Sequence, residues 1–185
     1  MKKVIIVLCV LMAVLILLSV ICFIYIPSIS GSGKNDMKRN RLEKIAQNQR
    51  SIVIADFSDF QIEFNDIANR ILSSADGESL YLYLDNMYSN LSIEIQQDIG
   101  ILASDCSMEL DCVYTTGSTD YIYPTEACVF RTTVMDRNEV YCWIDLVYSE
   151  YWDPYLETDS GKNMLDNEII TRLSPNWCIV KLYGY

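Results

Sequence analysis

Residues 4–26 form an uncharged run of 23 residues, most of them Val, Ile or Leu. About 20 such residues are enough to cross the hydrocarbon core of a bilayer as one α-helix. A secretory signal peptide has a shorter apolar core of about 7–15 residues, so this length favours a retained signal-anchor. Cleavage after Ser30 stays open as an alternative, because Ser28 and Ser30 form a small-x-small pair. We therefore expect a single-pass protein of the cell membrane that contacts lipid through residues 4–26.

The charges that flank this run give conflicting signals for its orientation. Lys2 and Lys3 precede the run and favour a cytoplasmic amino terminus. Several basic residues follow it closely, and counting them would keep the domain inside the cell. These are Lys34, Lys38, Arg39, Arg41 and Lys44. A short Lys-Lys start followed by a long apolar run is typical of an exported signal-anchor, so we expect an extracytoplasmic domain.

Charge divides the chain into a basic arm and an acidic body. Residues 1–50 hold eight Lys or Arg and two acidic residues, a net charge of +6. Residues 51–185 hold six Lys or Arg and 23 acidic residues, a net charge of −17. Phosphates repel such a body, so no nucleic acid is expected as its partner. Solubility is the first explanation of this charge, and attraction of a basic protein or of cations is the alternative, so a basic protein is a possible partner.

The apolar pattern predicts three parts: the signal-anchor helix at 1–26, a basic juxtamembrane segment at 27–50 and an acidic α+β domain at 51–185. Ser58 and Gln61 have the spacing of a capping box, with Phe57 and Ile62 placed as a hydrophobic staple. Apolar residues at a spacing of about 3.6 residues predict two amphipathic helices. The first has the stripe Phe60, Phe64, Ile67, Ala68 and Ile71, and the second begins at Ser92 and has Ile95, Ile99 and Leu102.

Alternating apolar residues predict strands in the second half of the chain. The predicted strands are residues 110–116, 121–123, 127–135, 140–148 and 177–183. Helices followed by strands indicate two or three helices packed on a 4–5-stranded antiparallel sheet. Aromatic residues spaced by two share a strand face, and such a face is half-buried or, where exposed, marks a binding surface. The pairs are Tyr81 and Tyr83, Tyr121 and Tyr123, and Tyr141 and Trp143.

The chain contains no histidine. This excludes Ser-His-Asp and Cys-His catalysis and every metal site that needs an imidazole ligand. No C-x-x-C pair and no EF-hand run of acidic residues occurs either, so we expect no metal and no cofactor and assign no catalytic residue.

Five cysteines lie in the body, and they fall into two groups. Cys128, Cys142 and Cys178 occupy strand positions shared with apolar residues, and are expected to be buried core residues. Cys106 and Cys112 are separated by five residues and could close a small loop as a disulfide, if their geometry permits it.

Residues 149–163 form a long connection between two late elements, and long loops of compact domains are often functional or mobile. The candidate binding residues within it are Glu150, Trp152, Asp153 and Tyr155. Carboxylates beside aromatic rings suit a sugar ligand, and paired carboxylates can hydrolyse a glycoside. The alternative is an acidic surface loop held in place by its aromatic residues.

Several segments carry a resemblance to a known group of proteins. They are the Lys-Lys start with its apolar run, the helix DFSDFQIEFNDIANRIL, the strand EVYCWIDLVYS and the closing NWCIVKLYGY. Their order resembles the small membrane-anchored exported proteins of low-GC Gram-positive bacteria. The resemblance implies an exported domain and brings no established activity with it. The cysteines are a departure, since exported proteins of these bacteria tend to avoid cysteine.

Two functions are therefore expected from the sequence. The first is a non-enzymatic, membrane-anchored domain that binds a basic protein, in an inhibitor or immunity-type role. The alternative is a carbohydrate-binding or carbohydrate-acting envelope enzyme that uses the acidic and aromatic residues of segment 149–163.

Overall fold

A computed structural model describes residues 40–75, 78–85, 88–116, 122–135, 141–167 and 169–184. The chain divides into two compact units, Met1–Glu43 and Lys44–Tyr185. Of the first unit only residues 40–43 are described, and they are helical. The predicted signal-anchor at 4–26 lies outside the described residues. Among the helices that are described, none combines the length and the apolar character needed to cross a membrane.

The second unit is an α+β domain, as the sequence predicts. Helix α1 is described over residues 40–59, of which 44–59 belong to this unit. The other helices are α2 (Gln61–Ala75), α3 (Ile93–Asp105), α4 (Trp152–Glu157) and α5 (Asp159–Asp166). The strands are β1 (Tyr81–Tyr83), β2 (Tyr88–Ser89), β3 (Cys112–Thr115), β4 (Cys128–Met135), β5 (Tyr141–Tyr148), β6 (Ile170–Arg172) and β7 (Trp177–Gly184).

The strands form one antiparallel sheet in the order β2-β1-β3-β4-β5-β7-β6. The antiparallel sheet is confirmed, but within the described residues it has seven strands, where the sequence predicts four or five. Strands β2 and β6 have two and three residues, which is too short for an alternating pattern to be read. The predicted strand at 121–123 is wrong over its described part, because residues 122 and 123 belong to no strand.

One face of the sheet packs against helices α1 and α2. The ring of Phe64 lies edge-on to Phe130, with centroids 5.1 Å apart, and Phe57 contacts Trp177 at the same distance. The predicted α2 stripe is confirmed at its buried members, Phe64, Ile67, Ala68 and Ile71. Because burying such side chains contributes roughly 1.5–3 kcal/mol each, this layer holds the helices on the sheet.

The predicted cap of α2 is wrong, and the predicted start of α3 at Ser92 is confirmed. Helix α1 continues to residue 59, so Ser58 lies inside a helix instead of preceding one. Ile62 is 79% exposed and therefore forms no staple with the buried Phe57. At α3, the Ser92 hydroxyl accepts a hydrogen bond from the amide of Ile95, which satisfies one free donor of the first turn.

The opposite face of the sheet is covered along part of its width by α4, α5 and the segment at 122–127. Trp152 of α4 is fully buried there, in a cluster with Val147, Cys178 and Val180. The prediction of a loop at 149–163 is therefore wrong, since most of this segment is helical and its Trp152 is buried in the core. The remaining part of this face forms a groove.

Candidate binding groove

The groove has a volume of about 870 Å³ and lies on the face of the sheet away from α2. It crosses the strands β1, β3, β4, β5 and β7. Its lining includes aromatic, acidic and polar side chains: Tyr83, Asp85, Asp111, Cys112, Tyr114, Arg131, Thr133 and Trp143.

Strand register brings these residues together. One row across the sheet pairs Tyr83 with Cys112 and Cys112 with Arg131, and Arg131 in turn pairs with Asp145. The next row pairs Thr133 with Trp143. Residues two apart on one strand share a face, so both rows point to the same side of the sheet.

The floor of the groove is an ion pair between Arg131 and Asp145. Nε of Arg131 donates to Oδ1 of Asp145 at 2.8 Å, and Nη2 donates to Oδ2 at 2.7 Å. The Asp145 side chain has no exposed surface, whereas that of Arg131 is 22% exposed. This two-point contact is the strongest form of carboxylate recognition by arginine, and it fixes the guanidinium in one plane.

Two aromatic rings enclose that guanidinium. Its central carbon lies 5.1 Å from the centre of the Tyr114 ring and 5.3 Å from the centre of the Trp143 ring. Both distances are within the range of cation–π attraction. Arg131 is therefore held by charge below and by rings on its flanks, which makes it a rigid part of the groove.

Tyr123 completes the network. Its hydroxyl donates a short hydrogen bond to Oδ2 of Asp145 and accepts one from Nη2 of Arg131 at 3.0 Å. Burial, followed by the charge of Asp145, raises the pKa of Tyr123 far above its ordinary value. Burial and then Asp145 also raise the pKa of Tyr114. Both phenols therefore stay protonated at neutral pH.

The pKa of Arg131 is raised by its surroundings. Burial acts to lower it, but the hydrogen bonds and the charge of Asp145 together outweigh that effect. The guanidinium therefore stays charged, and its charge is balanced within the protein by Asp145.

One end of the groove is acidic. Asp85 and Asp111 lie there beside Cys112, and Oδ2 of Asp111 is a buried atom with no hydrogen-bond partner among the described residues. Burial is the main cause that raises the pKa of the Cys112 thiol to about 11. The positive charge of Arg131 opposes this rise, while nearby carboxylates, including Asp111 and Asp85, add to it.

These protonation states decide what the groove can do chemically. A thiol with a pKa near 11 is almost wholly protonated at neutral pH and is a poor nucleophile. The tyrosines are protonated as well, and Arg131 is engaged by Asp145. Among the described groove residues, no nucleophile has an activating base beside it. The groove offers flat rings and two free carboxylates, a set of groups that suits binding.

The structure does not bring the four predicted binding residues of segment 149–163 together. Trp152 is in the core, where its indole nitrogen donates to the carbonyl of Val147 at 3.3 Å. Asp153 is exposed and forms an ion pair with Arg172, with an Nη1–Oδ1 distance of 2.6 Å.

Of the other two residues, Tyr155 contacts Trp152, and Glu150 lies apart from them. The Tyr155 ring packs edge-on against Trp152, and its hydroxyl donates to the carbonyl of Ile122 at 2.9 Å. Glu150 lines a second hollow of about 790 Å³ near the carboxyl end of α2. Glu126, also on that hollow, has a left-handed φ of 54°, which a non-glycine residue adopts at some cost.

The five described cysteines are free thiols. Cys106 follows the last turn of α3, and Cys112 begins β3. The disulfide that the sequence left possible between them is not formed in the structure. Cys128, Cys142 and Cys178 are buried, as the strand pattern predicts.

Sequence analysis misses Arg131 and Asp145 as a pair. The available signal is a charged residue at a central position of each of two apolar strands, since burying a charge is costly unless it is paired. The spaced aromatic residues, by contrast, include Tyr83 and Trp143, and the structure adds that these two lie on the same sheet face.

Comparisons with models of known protein families, with characterised proteins and with solved structures found no match for this chain. A function for this groove is therefore inferred from the residues that form it.

Proposed function

We propose that this protein is a non-enzymatic binding domain, held at the membrane by residues 4–26, and that its groove binds a basic partner protein. The observation that carries the proposal is the groove itself, an aromatic-lined and partly acidic hollow on a sheet face that the described helices leave open. The extracytoplasmic position of the domain is part of the same proposal.

The aromatic residues support binding to a protein surface. Tyr83 is 46% exposed, and Tyr114 and Trp143 are half-buried along the groove. Tyr and Trp dominate the energetics of protein interfaces, because they offer a large apolar area at a small cost in conformational entropy. Trp143 and Tyr114 are also fixed by Arg131, so little order has to be gained on binding.

The charges support a basic partner. Arg131 is balanced by Asp145 within the protein. Among the described residues that line the groove, no further basic residue balances Asp85 and Asp111, so this described lining is negative. A body with a net charge of −17 adds long-range attraction for a basic protein and repels acidic ones.

Site-specific cross-linking in the cells that produce the full chain tests this function. Tyr83 is replaced by the photoreactive residue p-benzoylphenylalanine, and Gln97, exposed on α3, receives the same residue as the matched control. We expect an adduct from position 83 only, with a protein rich in Lys and Arg. The adduct should weaken with added salt and when Asp85 and Asp111 are both changed to Asn.

Three results would contradict the proposal. They are an adduct with an acidic protein, an adduct with a glycan, and equal patterns of adducts from positions 83 and 97. An adduct with a glycan would favour the carbohydrate alternative, with its site moved from segment 149–163 to the groove.

A further inference from the structure

We propose that the groove takes an extended peptide segment bearing Lys or Arg, and that this segment adds as a new strand to the open edge of β4. The inference rests on the proposed function and specifies the conformation in which the partner is bound.

Among the described residues, no strand pairs with the end of β4 on the β3 side, because β3 is shorter than β4. Strand β3 pairs with β4 only from Cys128 to Arg131, while β4 continues to Met135. On the other side, β5 pairs with β4 along its full length, from Cys128 to Met135. Four residues of β4 therefore extend past the last residue that β3 pairs with.

The alternation of an antiparallel strand shows which peptide groups face that open edge. The carbonyl of Ala127 accepts from the amide of Thr116, and the carbonyl of Arg131 accepts from the amide of Asp111. Residues 127, 129 and 131 therefore point their peptide groups toward β3, and the residues between them point toward β5. Thr133 follows residues 127, 129 and 131 in this alternation. Its amide and carbonyl point toward the side where β3 has ended, and no described residue bonds to them there.

Thr133 also lines the groove, so the open edge and the aromatic rings belong to one hollow. An unpaired edge is a template for strand addition. In such complexes the backbone provides affinity, and alternate side chains of the added strand enter pockets on one face. A strand placed beside Thr133 would direct every second side chain to the face that holds Trp143 and Arg131.

Charge identifies the occupant. The groove end where the chain enters β3 carries Asp111 and Asp85, and the buried Oδ2 of Asp111 has no partner among the described residues. An ammonium or guanidinium group would supply that partner. Arg131, the one basic residue among the described residues that line the groove, is already bound by Asp145. A strand with basic side chains on one face would supply the positive group that Asp111 lacks and that Arg131 does not provide.

The probe is the peptide acetyl-Lys-Thr-Lys-Thr-Lys-Thr-Lys-amide, with the Glu-Thr peptide of equal length as its charge control. Binding to the full chain is followed by isothermal titration calorimetry, and hydrogen exchange of the Thr133 amide is measured with the same peptides. We expect the Lys peptide alone to bind and to slow exchange at Thr133 by at least about tenfold. Binding of the Glu peptide or unchanged exchange at Thr133 would overturn the inference.

N-methylation separates strand pairing from attraction of charge. One peptide is methylated on its Lys amides and the other on its Thr amides, so each lacks the donors of one strand edge. Pairing with β4 uses one edge only, so one methylated peptide should bind like the parent and the other at least about tenfold more weakly. Equal binding of the two methylated peptides would overturn the inference of strand pairing with β4.

Two protein variants complete the test. Thr133→Pro removes an amide that β5 does not use, and should weaken the Lys peptide about tenfold. Asp111→Asn should weaken it as well, while Glu157→Gln, an exposed acidic residue outside the groove, should not. If Thr133→Pro unfolds the chain, the methylated peptides on the unaltered protein decide the question.

The two proposals can fail separately. If cross-linking at position 83 captures a basic protein but the two methylated peptides bind alike, strand addition is wrong and the proposed function survives. If the peptides pair with β4 but no basic protein is cross-linked, the proposed function is wrong.

Discussion

Arg131 and Asp145 lie opposite each other on β4 and β5 and are joined by two hydrogen bonds of 2.8 and 2.7 Å. The carboxylate is fully buried, and the guanidinium forms the floor of the groove between Tyr114 and Trp143. The pair therefore has one member in the packed interior and one member that lines the groove. The stability of the domain and the shape of the groove depend on the same contact.

Removing one member of this pair should destabilise the fold strongly. Asp145→Asn leaves a largely buried guanidinium without its counter-charge, which costs about 3–5 kcal/mol of unfolding free energy. Urea unfolding followed by tryptophan fluorescence measures this. The exposed pair of Arg172 with Asp153 is the control, because Asp153→Asn should cost less than about 1 kcal/mol. Equal costs for the two variants would mean that burial does not distinguish the pairs.

Alkaline pH should destabilise the protein through Tyr123. Its pKa is raised in the folded state, so above the ordinary pKa of about 10 the unfolded chain loses this proton while the folded chain keeps it. The stabilising contribution is complete below about pH 10 and is lost as pH rises, by at most about 1.4 kcal/mol per pH unit. Tyr123→Phe should reduce the slope of unfolding free energy against pH above 10. An unchanged slope would show that the phenol titrates freely.

Cys112 should react slowly with alkylating agents. A rise of its pKa from 9.0 to about 11 lowers the thiolate fraction at pH 8 by about a hundredfold. Mass spectrometry after iodoacetamide treatment gives the rate in the folded chain, and the same chain in urea without reductant is the control. We expect rapid labelling of Cys112 in urea. Failure to label there would show that Cys112 is held in a disulfide, such as the one with Cys106 that the sequence left possible.

Trp152 should behave as a core residue. Trp152→Ala removes a fully buried indole and should cost about 3–5 kcal/mol of unfolding free energy. Glu150→Ala, at an exposed position two residues earlier, should change it by less than about 0.5 kcal/mol. Similar small effects at both positions would place Trp152 on the surface, where a sugar could reach it.

The side of the membrane that the domain occupies can be measured with a new thiol. Gln97→Cys introduces an exposed cysteine on α3, while the described native cysteines are buried or partly buried. We expect a membrane-impermeant maleimide to label this variant in intact cells, and deletion of residues 4–26 to release the domain from the membrane fraction. Labelling only after cell lysis would mean that the basic residues after the apolar run keep the domain inside.

Local patterns predicted those parts of the fold that depend on neighbours in sequence. The stripe of α2 and the start of α3 at Ser92 are examples, because helical spacing and helix starts involve residues within one or two turns. The cap at Ser58 fails for a related reason. The same local spacing is compatible with a helix that continues through it, as α1 does to residue 59.

The environment of segment 149–163 depends on residues that are distant in sequence. Its acidic and aromatic residues look like a binding loop in sequence, and its two helices have only six and eight residues. Whether Trp152 faces solvent or the core depends on the sheet face that α4 covers. That face is formed by strands up to 30 residues away, which include β4 and β7.

By itself, the sequence determined the uncharged run, the division of charge between arm and body, the absence of histidine and the α+β class. Each is a property of composition or of short-range period. Tertiary structure alone decided that Arg131 meets Asp145, that Asp85 lies near Asp111, and that Thr133 borders an open edge. These relationships follow from strand register and strand length, which are set by packing across the whole sheet, since a shift of one residue would move every side chain to the opposite face.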